Sequence, residues 1–450
     1  MVISARTRIF SRSFRRIALI ALASGVAIVP LAGSGSAGTP AKTTRASIGS
    51  QEQESPNGGI YPSISGSGRY VVFETISANL VPGDTNAESD VFVRDRKTGR
   101  TERVSVRSNG AQANSWSGYA SVSANGRFVS FTSEASNLVQ GDTNGVQDIF
   151  VHDRRTGRTT RVSIDSRGRQ GNDDTSASDI SATGRFVLVS STATNLVRDD
   201  ANGYEDLFVH DRVTGITRLV SVRSNGAQAN AAVGNVDPGS ISADGRFITF
   251  STAASNLVKG DGNAVSDVFV RDRVAGKTTR VSMSSAGDEA NGASQDPSIS
   301  GDGKLVTFSS DATNLVASDG NGERDIFVHN RSQGTTRRIS VSSADEEADG
   351  FSGYASISAD GRYVAFESFA ENLIGSDTNN ATDVYLRDRK RRTTVRVSLT
   401  NAGAEGNSES SYPFISASGR FVAFQSSATN LIGNDTNATT DIYVRGPLES

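Results

Sequence analysis

A short acidic motif, Asp-x-Asn-x-x-x-Asp, recurs seven times along the 450-residue chain. Carboxylate and amide oxygens at alternate loop positions are ligands that calcium prefers, and backbone carbonyls, water or a preceding asparagine would complete the shell. The motif therefore predicts seven calcium loops. The alternative is that these side chains form Asx-turns that satisfy loop amides, since no bidentate glutamate follows at the EF-hand spacing. The copies are Asp84/Asn86/Asp90, Asp142/Asn144/Asp148, Asp200/Asn202/Asp206, Asp261/Asn263/Asp267, Asp319/Asn321/Asp325, Asp377/Asn379/Asp383 and Asp435/Asn437/Asp441.

Aromatic residues form a second candidate site, because they interrupt an otherwise regular repeat. Trp116 and Phe351 each lie three residues before a tyrosine. Amphipathic aromatic side chains suit stacking on a sugar or gripping a peptide segment. The alternative is that each tyrosine packs beneath the loop before its own strand. The tyrosines that share this repeat position are Tyr61, Tyr119, Tyr354 and Tyr412, and the other three copies have Ala177, Pro238 and Asp296 there.

The histidines do not indicate catalysis. Three copies carry His152, His210 and His329 at one position, where the others carry Arg94, Arg271, Arg387 and Arg445. We interpret a position that alternates between histidine and arginine as the surface of a strand. A nucleophile or an acid/base pair should occur once and break the repeat, and the sequence contains no such constellation. No catalytic residue is predicted.

The elements that must position these residues follow a fixed period. The glycine of a Gly-Arg-aromatic step, which reads Gly303-Lys304-Leu305 in the fifth copy, recurs seven times with a spacing of 58 residues, except for one spacing of 61. Such a period indicates a repeat architecture. In the copy around Ser121–Asp153 the pattern predicts strands at 120–123, 127–133, 148–153 and 159–164. The second and third are continuous apolar runs and the fourth alternates, which is typical of inner and outer strands of a propeller blade.

The two ends of the chain predict how the ring closes. The seventh copy stops after its third strand, at Asp441–Arg445. The missing fourth strand has a match near the N-terminus, where Thr43–Ile48 resembles Thr159–Ile164. We therefore predict an all-β fold, a seven-bladed β-propeller of four-stranded blades whose N-terminal strand completes the last blade. We call the loops that contain the Asp-x-Asn-x-x-x-Asp motif the acidic loops. These loops and the aromatic residues would share the face of the ring that carries the long loops.

The repeat resembles a known family. The step Ser-x-Asp/Asn-Gly-Arg-aromatic-Val, followed by Asp-Val/Ile-Phe/Tyr-Val-x-Asp, is similar to the WD40-like (PD40) propeller repeats of TolB-like proteins over residues 43–445. The resemblance implies the propeller fold and a TolB-like envelope scaffold as one alternative function. This sequence lacks the proline of the family's Ser-Pro-Asp-Gly turn and the small α/β domain that TolB carries before its propeller.

The N-terminus predicts export. Five arginines in the first 16 residues, an apolar run from Ile17 to Leu31 and the small residues Gly35-Ser36-Ala37 form a signal-peptide pattern. The predicted organisation is a signal peptide at 1–37, a short linker at 38–42 and the propeller at 43–450, with no transmembrane segment in the mature chain. Removal of the five arginines takes the net charge from −3 to −8, which disfavours nucleic acid as a partner.

These patterns together favour a secreted or cell-envelope protein that binds without catalysis. Cysteine is absent, so neither a disulfide framework nor thiol chemistry is available. We expect a monomeric propeller, stabilised by calcium, that recognises a glycan or a protein segment on its long-loop face. The alternative functions are a carbohydrate-active hydrolase or lyase on the same scaffold and the TolB-like envelope scaffold.

Overall fold

The computed structural model describes residues 40–233, 239–375 and 377–448. The predicted signal peptide, Pro238 and the first residues of the predicted linker lie outside these ranges. Within them all regular structure is β, and no helix is long and apolar enough to cross a membrane. Twenty-eight strands form seven antiparallel sheets of four strands each, which confirms the seven-bladed propeller.

Each blade is a meander whose four strands pair in chain order, except for the last. Blades 1 to 3 contain β2 (Ile60–Ile64), β3 (Tyr70–Thr75), β4 (Asp90–Asp95) and β5 (Arg100–Arg103); β6 (Ser117–Val122), β7 (Phe128–Ser133), β8 (Asp148–Asp153) and β9 (Arg158–Arg161); and β10 (Thr175–Ile180), β11 (Phe186–Ser191), β12 (Asp206–Asp211) and β13 (Ile216–Leu219). Blades 4 to 6 contain β14 (Ser240–Ile241), β15 (Phe247–Thr252), β16 (Asp267–Asp272) and β17 (Lys277–Arg280); β18 (Ser294–Ile299), β19 (Leu305–Ser310), β20 (Asp325–Asn330) and β21 (Thr335–Arg338); and β22 (Ser352–Ile357), β23 (Tyr363–Ser368), β24 (Asp383–Asp388) and β25 (Thr393–Arg396).

Blade 7 joins the two ends of the chain. It contains β26 (Ser410–Ile415), β27 (Val422–Ser426) and β28 (Asp441–Gly446), and its outer strand is β1 (Lys42–Arg45). In the antiparallel register Lys42 faces Gly446 and Arg45 faces Tyr443. The prediction that an N-terminal strand completes the last blade is therefore confirmed.

Two predicted strand boundaries were wrong by three residues, and three others by one residue. The inner strand of blade 2 begins at Ser117, three residues before the predicted start, because a β-bulge between Gly118 and Ser121 lets the chain join the sheet earlier. The outer strand ends at Arg161 rather than Ile164, because the chain then turns so that Ile164 bridges Gln170. The third strand, β8, has the predicted bounds.

The core lies between neighbouring blades, as expected from the apolar runs of the second and third strands. Val72 and Val93 of blade 1 pack with Phe131 and Phe150 of blade 2, whose rings stack with centres 5.9 Å apart. Equivalent clusters join the other blades, including blade 7 to blade 1. Packing on both faces explains why these strands read as continuous apolar runs.

On the face of the tight turns, the Gly-Arg-aromatic step also joins neighbouring blades. Gly126 has a φ of +72°, and a Cβ there would lie 2.0 Å from a ring carbon of Tyr70 in blade 1. The guanidinium of Arg154 lies 4.3 Å from the centre of the same ring. Arg127 forms a bidentate ion pair with Asp153 at 2.6 and 2.8 Å. The most regular part of the repeat therefore builds the scaffold.

Candidate functional site

The inner strands of all seven blades surround a central cavity of about 250 Å³. Its walls come from residues of, or next to, β2, β6, β10, β14, β18, β22 and β26. Four of the lining side chains are the tyrosines of the shared repeat position, namely Tyr61, Tyr119, Tyr354 and Tyr412. The structure thus brings together the four tyrosines that the sequence singled out.

The tyrosines form one continuous wall across blades 6, 7, 1 and 2. The ring centres of Tyr354 and Tyr412 are 4.5 Å apart, those of Tyr412 and Tyr61 are 5.5 Å apart, and those of Tyr61 and Tyr119 are 5.2 Å apart. Trp116 extends the wall, with its ring edge-on to Tyr119 at 5.5 Å. The rings contact one another across blades instead of packing separately beneath their own loops. We call this surface the tyrosine wall.

Phe351 occupies the place that corresponds to Trp116 but has a different neighbour. The guanidinium of Arg324 lies 5.8 Å from the centre of its ring. Glycine accompanies both aromatic residues, because a Cβ at Gly118 or Gly353 would lie 2.5 or 2.7 Å from the ring of Trp116 or Phe351. Each ring therefore folds over its own strand at a position where only glycine leaves room.

The backbone at the tyrosine wall is strained. The φ angles are 52° at Tyr61, 47° at Tyr119, 44° at Tyr354 and 50° at Tyr412, in the left-handed region that bulky residues avoid. Each lies in the β-bulge of an inner strand, and bulges re-aim side chains next to functional sites. Asp296 shares both the repeat position and the conformation, with a φ of 52°.

Buried carboxylates from the neighbouring blade hold two of these bulges. Glu74 accepts a hydrogen bond from the backbone N–H of Tyr119 at 2.7 Å, and Glu367 accepts one from Tyr412 at 2.9 Å. The two side chains are 4% and 6% exposed, and burial raises the pKa of each to about 7. In blade 7, Gln425 does the same for Tyr61 at 3.2 Å.

Sequence reasoning missed these carboxylates, although a signal was present. The position equivalent to Glu74 is a small hydroxyl residue in four blades, at Thr132, Ser190, Ser251 and Ser309. Glu74, Glu367 and Gln425 break that pattern in the blades that precede blades 2, 7 and 1. Comparison of this repeat position with the repeat position of the tyrosines would have linked each of these three hydrogen-bond acceptors to the tyrosine of the next blade.

Among the described residues that line the cavity, Asp179 and Asp296 alone carry a charge. Asp179 accepts hydrogen bonds from the hydroxyl of Ser121 at 2.8 Å and from the N–H of Ile241 at 3.0 Å. Asp296 accepts one from the hydroxyl of Ser309 at 2.9 Å. Burial raises the pKa of both carboxyl groups. The sequence analysis also missed Asp179, although it occupies a repeat position where other blades have serine.

The acidic loops are occupied by arginines of their own blades. In blade 2, Nη1 of Arg161 lies 3.1 Å from a carboxylate oxygen of Asp142 and 2.8 Å from one of Asp148. The corresponding arginines of the other blades are Arg103, Arg280, Arg338, Arg396 and Arg45. A guanidinium thus lies between the carboxylates in six loops, at the place where the sequence analysis expected an ion.

The asparagines of the motif form hydrogen bonds within the protein. The side-chain oxygen, which is the atom that would bind an ion, accepts the backbone N–H two residues later in six of the seven loops. The side-chain amide of the same asparagine donates to the second aspartate of the motif and to a backbone carbonyl of the next loop. The six residues are Asn86, Asn202, Asn263, Asn321, Asn379 and Asn437.

The seventh asparagine, Asn144 in blade 2, makes the same amide contacts. It donates to Asp148 at 3.1 Å and to the backbone carbonyl of Gly171 at 3.1 Å. A carboxylate oxygen that accepts a hydrogen bond from this amide is less available to bind an ion. The regular spacing of the motif is therefore explained by turn formation and by pairing within the loops.

Three loops nevertheless bring three carboxylates close enough to hold a metal ion. In each of them an arginine contacts the carboxylates, namely Arg45, Arg280 or Arg338. The third carboxylate of each group is a glutamate outside the predicted motif. The three groups are Glu54/Asp435/Asp441, Asp261/Asp267/Glu289 and Asp319/Asp325/Glu347.

Blade 3 departs from this arrangement. Leu219 stands where the other six blades have an arginine, so Asp200 and Asp206 have no guanidinium of their own blade between them. Asn202 donates to Asp206 at 2.7 Å, and burial raises the pKa of Asp206 to about 6. This loop is therefore the one in which the carboxylate charge is least compensated.

The interpretation of the histidine position as a strand surface was wrong. His152, His210 and His329 are buried, because this side of their strands faces the preceding blade. Nδ1 of His152 lies 2.9 Å from the hydroxyl oxygen of Thr159 on the outer strand, and the other two histidines repeat this contact. Burial lowers the pKa of all three. The position links the third and fourth strands of a blade.

The sequence matches no family model and no curated protein. Solved propellers do match. The β-propeller domain of the Trilobed protease from Pyrococcus furiosus aligns at a TM-score of 0.52 and 10% identity, over 86% of this chain and 95% of that chain. An oligogalacturonate lyase in complex with manganese aligns at 0.50 and 13% identity, over 92% and 95%.

A putative TolB from Agrobacterium tumefaciens is also among the similar structures, at a TM-score of 0.41 and 17% identity, over 78% of this chain and 95% of that chain. The chain is a seven-bladed β-propeller. At these identities the comparisons establish the fold alone.

Proposed function

We propose that this protein is a binding propeller that takes a glycan or a protein segment into the central cavity from its long-loop face. The observation that carries the proposal is the tyrosine wall, in which four blades place aromatic rings in contact with one another along one side of the cavity. Aromatic side chains supply large contact area at low entropic cost. The remaining wall offers hydroxyl and carboxylate groups that fix orientation.

The strained backbone supports the same proposal. A left-handed φ at a non-glycine residue costs on the order of 1–3 kcal/mol, and such strain is concentrated at functional sites. Five residues of one repeat position carry it here, and all five line the cavity. Packing of the scaffold alone would be served equally well by glycine.

The test is ligand binding by a variant that lacks the tyrosines at both ends of the row of four. Tyr119→Ala/Tyr354→Ala should lose binding to whichever glycan or peptide the wild type retains from an array, while its melting temperature stays near that of the wild type. Tyr204→Ala is the matched control, because Tyr204 is also exposed but does not line the cavity. Unchanged affinity of the double variant would contradict the proposal.

A carbohydrate-active hydrolase or lyase is the second candidate, and one observation favours it. The cavity contains two carboxyl groups, Asp179 and Asp296, whose pKa values burial raises. An acid of raised pKa and a second carboxylate are the usual pair in glycoside hydrolysis. This candidate predicts turnover on a polysaccharide panel that Asp296→Asn abolishes. Absence of turnover by the wild type would remove it.

We further propose secretion or retention at the cell envelope, on the basis of the signal-peptide pattern in residues 1–37. N-terminal sequencing of the protein exported by its own host should show a first residue of Gly38. An intact Met1 on exported protein would contradict this. A TolB-like envelope scaffold remains the alternative, and it would show itself as co-purification with envelope proteins that survives Tyr119→Ala/Tyr354→Ala.

Calcium binding is a separate proposal. Blade 3 offers a place for the ion, because Leu219 leaves Asp200 and Asp206 without the guanidinium that the other blades have. An ion that binds only the folded protein stabilises it by mass action. A chelator should therefore lower the melting temperature of the wild type, and Asp200→Ala should lose that response. A melting temperature indifferent to chelator would count against calcium.

A further inference from the structure

We propose that the central cavity selects a positively charged side chain, and that the ligand is a protein segment that inserts one lysine or arginine between the tyrosine wall and the carboxylates of Asp179 and Asp296. The inference rests on the proposed binding function and names the chemistry of its ligand. It is carried by the arrangement of the cavity walls, by the distribution of charge around them and by the size of the cavity.

The two sides of the cavity differ in chemistry. Blades 6, 7, 1 and 2 supply the tyrosine wall, whereas blade 3 supplies Asp179 and blade 5 supplies Asp296. A cation bound between them would meet the faces of aromatic rings on one side and carboxylate oxygens on the other. Both contacts favour an ammonium or guanidinium group over a neutral one.

The carboxylates lack a cation of their own within the cavity. Neutral donors hold them, namely Ser121 and backbone amides for Asp179 and Ser309 for Asp296. No lysine, arginine or histidine is among the described residues that line the cavity. This contrasts with the acidic loops, where six of seven blades place an arginine between the carboxylates.

The charged groups that surround the cavity leave this balance negative. Arg324 is the cation that acts on Asp296, but it forms a bidentate ion pair with Asp311 at 2.8 and 3.0 Å. Glu74 and Glu367 lie behind the tyrosine wall and add no positive charge. Burial raises the pKa of both cavity carboxyl groups, and at Asp296 the charge of Arg324 only partly opposes this effect.

The size of the cavity favours a side chain over a glycan. Its volume of about 250 Å³ is below the roughly 300–1,000 Å³ that is usual for drug-sized ligands. A cavity of this volume has room for one lysine or arginine side chain but not for several sugar units. The geometry therefore points to a single inserted residue of a protein segment.

Trp116 allows a direct test, because it is the only tryptophan in the chain and its ring contacts Tyr119. Acetylated, amidated pentapeptides of glycine and serine with a central lysine, arginine, norleucine or glutamate would be titrated into the full mature protein, with tryptophan fluorescence as the readout. The lysine and arginine peptides should bind at least about tenfold more tightly than the norleucine peptide, and added salt should weaken them. Equal binding of the norleucine peptide would overturn the inference.

The variant Asp296→Asn should lose about tenfold or more in affinity for the lysine peptide and little for any neutral ligand. Asp296→Tyr provides a second variant, because four other blades have tyrosine at this position with the same backbone conformation. Unchanged affinity of both variants for the lysine peptide would overturn the inference.

Two further binding experiments distinguish failure of this inference from failure of the proposed function on which it rests. Putrescine that binds as tightly as the lysine peptide would overturn the assignment to a protein segment. Neutral glycans that bind in a manner sensitive to Tyr119→Ala, with no binding of cationic peptides, would overturn the inference and leave the proposed function intact. Insensitivity of every ligand to Tyr119→Ala would overturn both.

Discussion

Replacement of Glu74 by glutamine should stabilise the propeller above neutral pH. The Glu74 carboxyl group is buried behind the tyrosine wall, accepts the N–H of Tyr119, and has a pKa that burial raises from 4.5 to about 7. An acid whose pKa is higher in the folded state binds its proton more tightly there. The free energy of unfolding therefore falls as the pH rises from about 4.5 to about 7, and above that range the folded protein carries the full cost of a buried charge.

The magnitude follows from the size of the shift. A shift from 4.5 to about 7 corresponds to about 3 kcal/mol, at roughly 1.4 kcal/mol for each pH unit. Glutamine has the same shape and keeps an acceptor for the N–H of Tyr119. The chain contains a precedent, since Gln425 accepts the N–H of Tyr61 at the equivalent place in blade 7. The substitution should therefore remove the charge without disturbing the bulge.

The assay is denaturant unfolding of wild type and Glu74→Gln at pH 5 and pH 8.5. The advantage of the variant should grow by about 2–3 kcal/mol between these two values, because wild-type Glu74 loses its proton over this range. Glu88→Gln, at an exposed position of the blade 1 acidic loop, provides the control and should show no such growth. An advantage that is the same at both pH values would refute the reasoning, because it would mean that Glu74 does not titrate between them.

Three other substitutions or deletions test the scaffold. Gly126→Ala should lower the melting temperature more than Gly157→Ala, because both have a left-handed φ costing about 1–3 kcal/mol, but only at Gly126 does a new Cβ meet a ring of the preceding blade; equal losses would argue against that contact. Leu219→Arg should raise the free energy of unfolding by about 1–3 kcal/mol at pH 8 and by less at pH 5, where Asp206, with a pKa near 6, is protonated; no gain at pH 8 in urea unfolding would contradict this. Deletion of residues 42–45 should expose the edge of β28 and make limited proteolysis faster. Proteolysis that is no faster than in the full chain would contradict this.

The sequence was informative wherever the repeat could be compared with itself. A constant period and a last copy without its fourth strand were enough to predict seven blades and the pairing of β1 with β28. The tyrosines were identified because they occupy one repeat position in four of the copies, whereas the other three copies have different residues there. A site built where the repeat changes can therefore be found without a structure.

Contacts between blades were beyond such reasoning. Whether Glu74 faces water or the next blade depends on how two sheets pack, and Glu74 lies near the end of β3, after the apolar run of that strand. His152 was placed on a surface for the same reason, although it faces the preceding blade and is buried. Within one blade, Arg161 contacts Asp142 from 19 positions later in the chain, which no local motif shows. Each of these contacts joins residues that are distant in the sequence and that only the fold brings close.

The pairing of β1 with β28 also sets an order of events during synthesis. Residues about 400 positions apart, such as Thr43 and Arg445, must meet before the last blade is complete. The first strand to leave the ribosome is thus the last to find its partner, and until then an unpaired strand edge is open to other chains. A chain interrupted anywhere before β28 can form blades but no ring, so closure distinguishes complete molecules from truncated ones.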